Sequence, residues 1–153
     1  MSKTIKQFKG KHAFLSNFYP VPVTFEGVRY PSSENAYQAE KSGNPARRIS
    51  FVAISPAHSK KLAKRIPKRP DWHAVKQDIM LQIVGAKFQQ NPKLAHMLLN
   101  TGDGRLEEGN FHGDRYWGVC PPGSGDGQNN LGIILMEVRS TLLSRHAQPQ
   151  QGD

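Results

Sequence analysis

Cysteine is almost absent from this chain: Cys120 stands alone among 153 residues. One thiol cannot build an internal disulfide framework, and it suits a reducing compartment. No apolar run approaches the roughly 18 residues that cross a membrane as a helix. The opening Met1-Ser2-Lys3-Thr4-Ile5-Lys6-Gln7 lacks the apolar core of a secretory signal. A cytoplasmic location with no membrane contact is therefore expected. Acidic residues are also scarce, 12 against 21 Lys and Arg, which leaves a net charge of +9. Such an excess attracts polyanions, from free nucleotides to nucleic acid. The six histidines contain no His-x-x-x-His pair and no zinc-peptidase motif, so no metal site is expected.

What remains is a chain of single-domain length, with no internal repeat and no linker. One domain over residues 1–146 and a polar tail over 147–153 are expected. Val23 to Tyr30 alternates apolar and polar residues around Glu26-Gly27, which reads as a small hairpin. Helices dominate after it. Asn44-Pro45, Ser55-Pro56 and Asn91-Pro92 each pair a capping side chain with proline at the first helical position. An earlier helix starts near Ser32 or Ser33 and carries Glu34, Tyr37, Gln38 and Lys41. On it Glu34 and Gln38 share a face, as do Tyr37 and Lys41. Asp71 can cap a long helix from Trp72 to about Gln90, with Val75, Ile79, Ile83, Ala86 and Phe88 at mostly helical spacing. Gly102 is a helix stop. A last helix covers about Leu131 to Ser144, burying Leu131, Leu135, Val138 and Leu142. The fold expected is mainly α, with the small hairpin and short strands.

The richest segment is Asn110-Phe111-His112-Gly113-Asp114-Arg115-Tyr116-Trp117-Gly118. It sets one carboxylate in a glycine-bracketed turn beside two aromatics on which a base can stack. Such a carboxylate suits chemistry at the sugar carbon of a nucleoside, where positive charge develops. An aromatic turn that merely plugs the core fits the same residues. Glu34, in the first turn of its helix, reads equally as a dipole-complementing carboxylate or as a site residue. Glycosidic hydrolysis needs an acid or base at the leaving group and a carboxylate near the anomeric carbon. Spacing alone leaves open which of Glu34, Glu107, Glu108 and Asp114 would do this.

Three other features carry less. Cys120 with His112 has the atoms of a nucleophile pair, but Val119-Cys120-Pro121-Pro122 is no nucleophile elbow. The loop Gly123 to Asn130 precedes a helix and can offer backbone N–H groups to phosphate, yet lacks a P-loop ending. The basic stretch Lys60 to Arg69 is either a solvated face or a phosphate contact.

Taken together, the segments resemble the NADAR family, the YbiA-like N-glycosidases. The resemblance runs in order through Phe14–Pro20, Tyr30–Lys41, Arg69–Trp72, Met80, Ala86–Phe88, Leu98–Gly102, Asp114–Gly118 and Asn129–Arg139. It covers about residues 12–143. It implies a compact, mainly helical N-glycosidase fold and hydrolysis of an N-ribosidic bond with no metal or redox cofactor. One branch of the family acts on phosphorylated ribosylamino intermediates of riboflavin synthesis. Another removes ADP-ribose from guanine in nucleic acid. The net charge of +9 favours the larger anion, so ADP-ribosylated guanine in nucleic acid is the expected partner.

The family's acidic, aromatic and acidic site positions fall on Glu34, Trp72 and Asp114. Trp72 would stack on the heterocycle, with Trp117 and Phe18 as further candidates, and Asn17, Tyr37, Gly118 and Asn130 complete the implied substrate-binding set. Glu34 and Asp114 would divide two tasks, activating water and stabilising the ribosyl cation or leaving nitrogen. Lys41 matches a lysine of the family pattern and offers a covalent route through a Schiff base, or else a phosphate contact. A non-catalytic module that binds ADP-ribose or nucleic acid is the reading from a different class. The chain departs from the YbiA pattern by one extra residue before Asp114 and by a longer loop from Gly118 to Asn129. Both departures bear on substrate choice.

Overall fold

A computed structural model describes residues 3–147. Five α-helices, two 3-10 segments (Gly10–Leu15 and Pro45–Phe51) and one two-stranded sheet make up the regular structure among these residues. The strands and α-helices are β1 (Val23–Phe25), β2 (Val28–Tyr30), α1 (Ser33–Glu40), α2 (Pro56–Ala63), α3 (Trp72–Gln90), α4 (Pro92–Leu99) and α5 (Asn130–Ala147). The expected mainly helical class is the one observed. Two compact units contain them: Ser16–Gln90 is one, and the other joins the two ends of the chain, up to Leu15 and from Asn91.

In the Ser16–Gln90 unit, the hairpin pairs Val23 with Tyr30 and Phe25 with Val28. Glu26 and Gly27 take φ of 50° and 79°, the left-handed pair that a two-residue turn needs to match strand twist. Gln90 at the end of α3 donates to Thr24 O and accepts from Thr24 N, both at 2.8 Å, pinning the helix to the strand edge. Helix α1 packs against α2, α3 and the 3-10 segment Pro45–Phe51. Asn35 secures that last contact by donating to Phe51 O and Ile54 O.

In the other unit, α4 packs on α5. Gly102, at φ 68°, closes α4 with its N–H bonded to Leu99 O. Arg139 of α5 donates to Thr101 Oγ1 and Gly104 O, tying the long helix to the turn after α4. The segment around Ile5 lies parallel to Leu106 and exchanges backbone bonds with Arg105 and Glu107.

Several local expectations need correction. Asn44-Pro45 opens a 3-10 segment rather than an α-helix, although Asn44 does cap it. Asn91 makes no side-chain capping bond. Asp71 marks the start of α3 by its backbone, but both of its carboxylate oxygens turn to Arg69, at 2.6 and 3.1 Å. A bidentate guanidinium partner outcompetes a single capping N–H. Helix α1 ends at Glu40, which leaves Lys41 as its C-cap. Helix α5 extends to Ala147, and Leu142 is only half-buried while Ile134 joins the buried stripe. Of the tail expected over 147–153, Ala147 belongs to α5 and the rest lies outside the described residues.

Candidate active site

Helix α1 has the sequence SENAYQAE, and every one of its residues is buried. A short polar helix gains little from apolar burial, so its polar groups must be hydrogen-bonded or aimed at a site. Ser32 caps it by accepting from Asn35 N. Asn17 anchors the start: its backbone O accepts Glu34 N at 3.0 Å, and its Oδ1 accepts Ser33 Oγ at 2.9 Å. Its Nδ2 reaches Met80 Sδ. Asn17, expected in the substrate-binding set, is thus placed beneath Glu34 as its support.

Glu34 is 8% exposed, and its Oε1 accepts Gln38 Nε2 at 2.7 Å. One turn later Tyr37 packs against Trp72, with ring centroids 5.1 Å apart and planes tilted by 56°. Trp72 is itself only 3% exposed, whereas Phe18 is 43% exposed. Lys41 Nζ lies 5.4 Å from the Tyr37 ring centroid. Arg69 N donates to Lys41 O, and Ser42 bridges to Lys68, which brings the basic stretch alongside the amine. Burial lowers the Lys41 pKa to about 8; the charges of Lys68, Lys60 and Lys64 push the same way, and Glu34 opposes them. A lysine so placed holds far more neutral amine near neutral pH than an ordinary lysine, and the neutral form is what a nucleophilic amine requires.

The other candidates lie in the unit that contains α5. Asp114 Oδ1 accepts Tyr116 N and Trp117 N, at 3.1 and 2.9 Å. Asn110 clamps the same residue from behind: its Oδ1 accepts Asp114 N, and its Nδ2 donates to Asp114 O at 2.8 Å. That amide also donates to Glu108 Oε2. Tyr116 and Trp117 meet edge to face at 4.9 Å, and Trp117 is half-buried. Gly118 sits where any Cβ would overlap Glu108. Asn130 donates its Nδ2 to Tyr116 O and so ties α5 to the aromatic turn. Glu107, also weighed as an acid, is buried in an ion pair with Arg105 at 2.8 Å.

The N–H groups at the end of the glycine-rich loop and the start of α5 are turned to the aromatic segment. Those of Gln128, Asn129, Asn130 and Leu131 donate to the carbonyls of Arg115, Gly118, Tyr116 and Trp117. The start of α5 is therefore spent on holding the Asp114 turn. Cys120 is buried and His112 exposed, and no hydrogen bond joins them among the described residues. Nor do three or more His, Cys, Asp or Glu side chains gather there in a metal-holding group. A groove of about 630 Å³ lined by Lys3, Lys6, Lys11 and Thr101 contains none of the candidate residues.

Sequence reasoning missed Asn110 as the clamp on Asp114 and Lys87 as a buried cation. Lys87 is 1% exposed, donates to Ser16 O at 2.9 Å and lies over the Tyr19 and Phe88 rings. Burial lowers its pKa to about 7.

Residues 5–143 match the NADAR domain. The chain is 42% identical over 134 residues to a riboflavin biosynthesis protein of Vibrio vulnificus (strain YJ016), a match covering 86% of this chain. It spans only 36% of that relative's length. Its identity to N-glycosidase YbiA of Escherichia coli (strain K12) is 36% over 133 residues, covering 84% of this chain and 80% of the relative. The solution structure of E. coli YbiA matches with a TM-score of 0.83 at 31% identity, over 100% of this chain and 94% of that one. The chain belongs to the NADAR domain family. It is an N-glycosidase, a hydrolase of N-glycosyl bonds.

Proposed function

We propose that this enzyme cuts the C1′–N bond of a ribosylated base, removing ADP-ribose from ADP-ribosylated guanine in nucleic acid. The observation that carries the reading is the pairing of a held carboxylate in the first turn of a buried polar helix with a lysine at its C-cap whose pKa burial lowers. The neutral Lys41 amine adds to C1′ of the opened ribose. The base departs with a proton on its nitrogen, leaving a lysine–C1′ imine. Water then hydrolyses the imine, which frees the ribosyl aldehyde and restores the amine. Glu34 and Asp114 supply the two carboxylate functions, proton transfer at the leaving nitrogen or water and stabilisation of positive charge at C1′. The single cysteine and the polyanionic substrate fit a cytoplasmic site of action.

A second reading has its own support. Relatives named as riboflavin biosynthesis proteins occur in V. vulnificus and, at 35% identity, in Zea mays, where the match covers 23% of the relative. Hydrolysis of a phosphorylated ribosylamino-pyrimidine is that alternative. Incubation with ADP-ribosylated guanine DNA, in parallel with the ribosylamino-pyrimidine phosphate, tests both. Restoration of unmodified guanine only in the DNA arm is expected. Release only from the pyrimidine arm would reassign the substrate, and tight ADP-ribose binding without release in either arm would favour a non-catalytic module.

A further inference from the structure

The basic stretch noted in the sequence becomes a defined surface in the Ser16–Gln90 unit. Lys60 and Lys64 are one turn apart, on α2 and at its C-cap, and so share a face. The Ser42–Lys68 bridge brings Lys68 to the same amine that Lys60 and Lys64 influence, that of Lys41. Residues 56–70 contain no Asp or Glu. Among the described residues no carboxylate forms an ion pair with Lys60, Lys64 or Lys68. Phe18 stands at this surface as an exposed ring, with Lys60 Nζ 5.8 Å from its centroid. Uncompensated cations beside an exposed aromatic are the elements of single-strand binding, in which bases stack and phosphates are tracked.

We propose that Phe18, Lys60, Lys64 and Lys68 form a strand-binding ledge: Phe18 stacks a base neighbouring the modified guanine, and the three lysines hold phosphates of the strand. The preferred substrate is then a polynucleotide rather than a free modified nucleotide. This inference rests on the ADP-ribosyl-guanine reading of the Lys41 site. The same lysines could instead meet the pyrophosphate of ADP-ribose, and substrate length separates the two sources of phosphate.

The test compares kcat/KM for an ADP-ribosylated guanosine monophosphate with that for a single-stranded oligodeoxynucleotide carrying the same adduct, over a salt series. The oligonucleotide should be preferred. Its log–log salt slope should be steeper by about 2, for three strand phosphates at about 0.7 each. Lys60→Gln with Lys64→Gln should reduce that slope by about 1.4. Phe18→Ala should raise the oligonucleotide KM about tenfold or more. Lys93→Gln, a charge change on α4, should leave the length preference intact.

Equal efficiency and salt slope for both substrates would overturn the ledge while leaving the base-release reading standing. Because these lysines also bear on the Lys41 amine, a loss common to both substrates is expected, and variants that leave the length preference and the difference in salt slope unchanged would take the lysines off the strand and overturn it too. Should neither substrate release base, the catalytic reading fails, and anisotropy with an unmodified labelled strand still decides the ledge. Strand binding that ignores Lys60 and Lys64 would sink it.

Discussion

Gln38 donates its Nε2 to Glu34 Oε1 across 2.7 Å, one turn along a helix whose residues are all buried. A carboxylate only accepts, so the amide presents its nitrogen and holds the acid in one rotamer. Glu34→Gln should lower turnover by about 10²–10⁴, the usual worth of general acid–base help. Gln38→Ala should lower kcat by about ten- to a hundredfold, the worth of one charge-assisted hydrogen bond, with KM nearly unchanged. Steady-state kinetics of both variants, checked for folding by circular dichroism, measure this. A Gln38→Ala enzyme altered only in KM would show that Gln38 does not position the acid.

The Lys41 amine should impose its own pH limb. Its pKa of about 8 means that activity through the amine rises with pH to a midpoint near that value. Lys68→Gln removes a like charge and favours the ammonium, so the limb should move to higher pH. Borohydride during turnover should trap an adduct in the wild type and none in Lys41→Arg. An unmoved limb or an adduct on another residue would remove Lys41 from the chemistry.

Asp114 separates charge from structure. Its Oδ1 accepts two backbone N–H groups, and an asparagine oxygen can do the same. Asp114→Asn should therefore keep stability within about 1 kcal/mol while turnover falls at least about a hundredfold. Asn110→Ala, which leaves Asp114 N and O without their clamp, should cost about 1–3 kcal/mol. Urea unfolding distinguishes the two, and equal losses would contradict the clamp.

Lys87 should give the protein a stability that climbs with pH. Its folded-state pKa is lowered to about 7 from an ordinary value of 10.5. Between those values the unfolded chain binds more protons, so stability rises as pH rises. Lys41, lowered to about 8, adds the same sign over the upper part of that window. Tyr30, raised to about 12, opposes both, but only above about 10. Unfolding free energy measured from pH 7 to about 9 should increase, and Lys87→Met should flatten the increase. A stability that falls over that range would refute the assignment.

Local chemistry made much of this legible in advance. The Glu26-Gly27 turn follows from two residues that tolerate left-handed backbone between alternating strands, and α3 from its long apolar period. The Asp71 cap was misread because a competing neighbour, Arg69 two residues before it, takes both carboxylate oxygens. The glycine-rich loop misled for a related reason. Its composition announces free N–H groups, but those of Gln128, Asn129 and Asn130 go to carbonyls of residues 115–118.

By itself, the sequence determined the helical class, the hairpin, the family and the residue types available for N-glycoside chemistry, because those depend on short-range spacing and composition. Only the tertiary structure decided what those residues experience. Burial lowers the pKa of Lys41 and Lys87, and Asn17 and Gln38 become the supports of Glu34. Phe18 emerges as the exposed ring while Trp72 is buried. Desolvation, like the field of Lys60, Lys64 and Lys68 at Lys41, is a property of three-dimensional neighbours, which no linear pattern specifies.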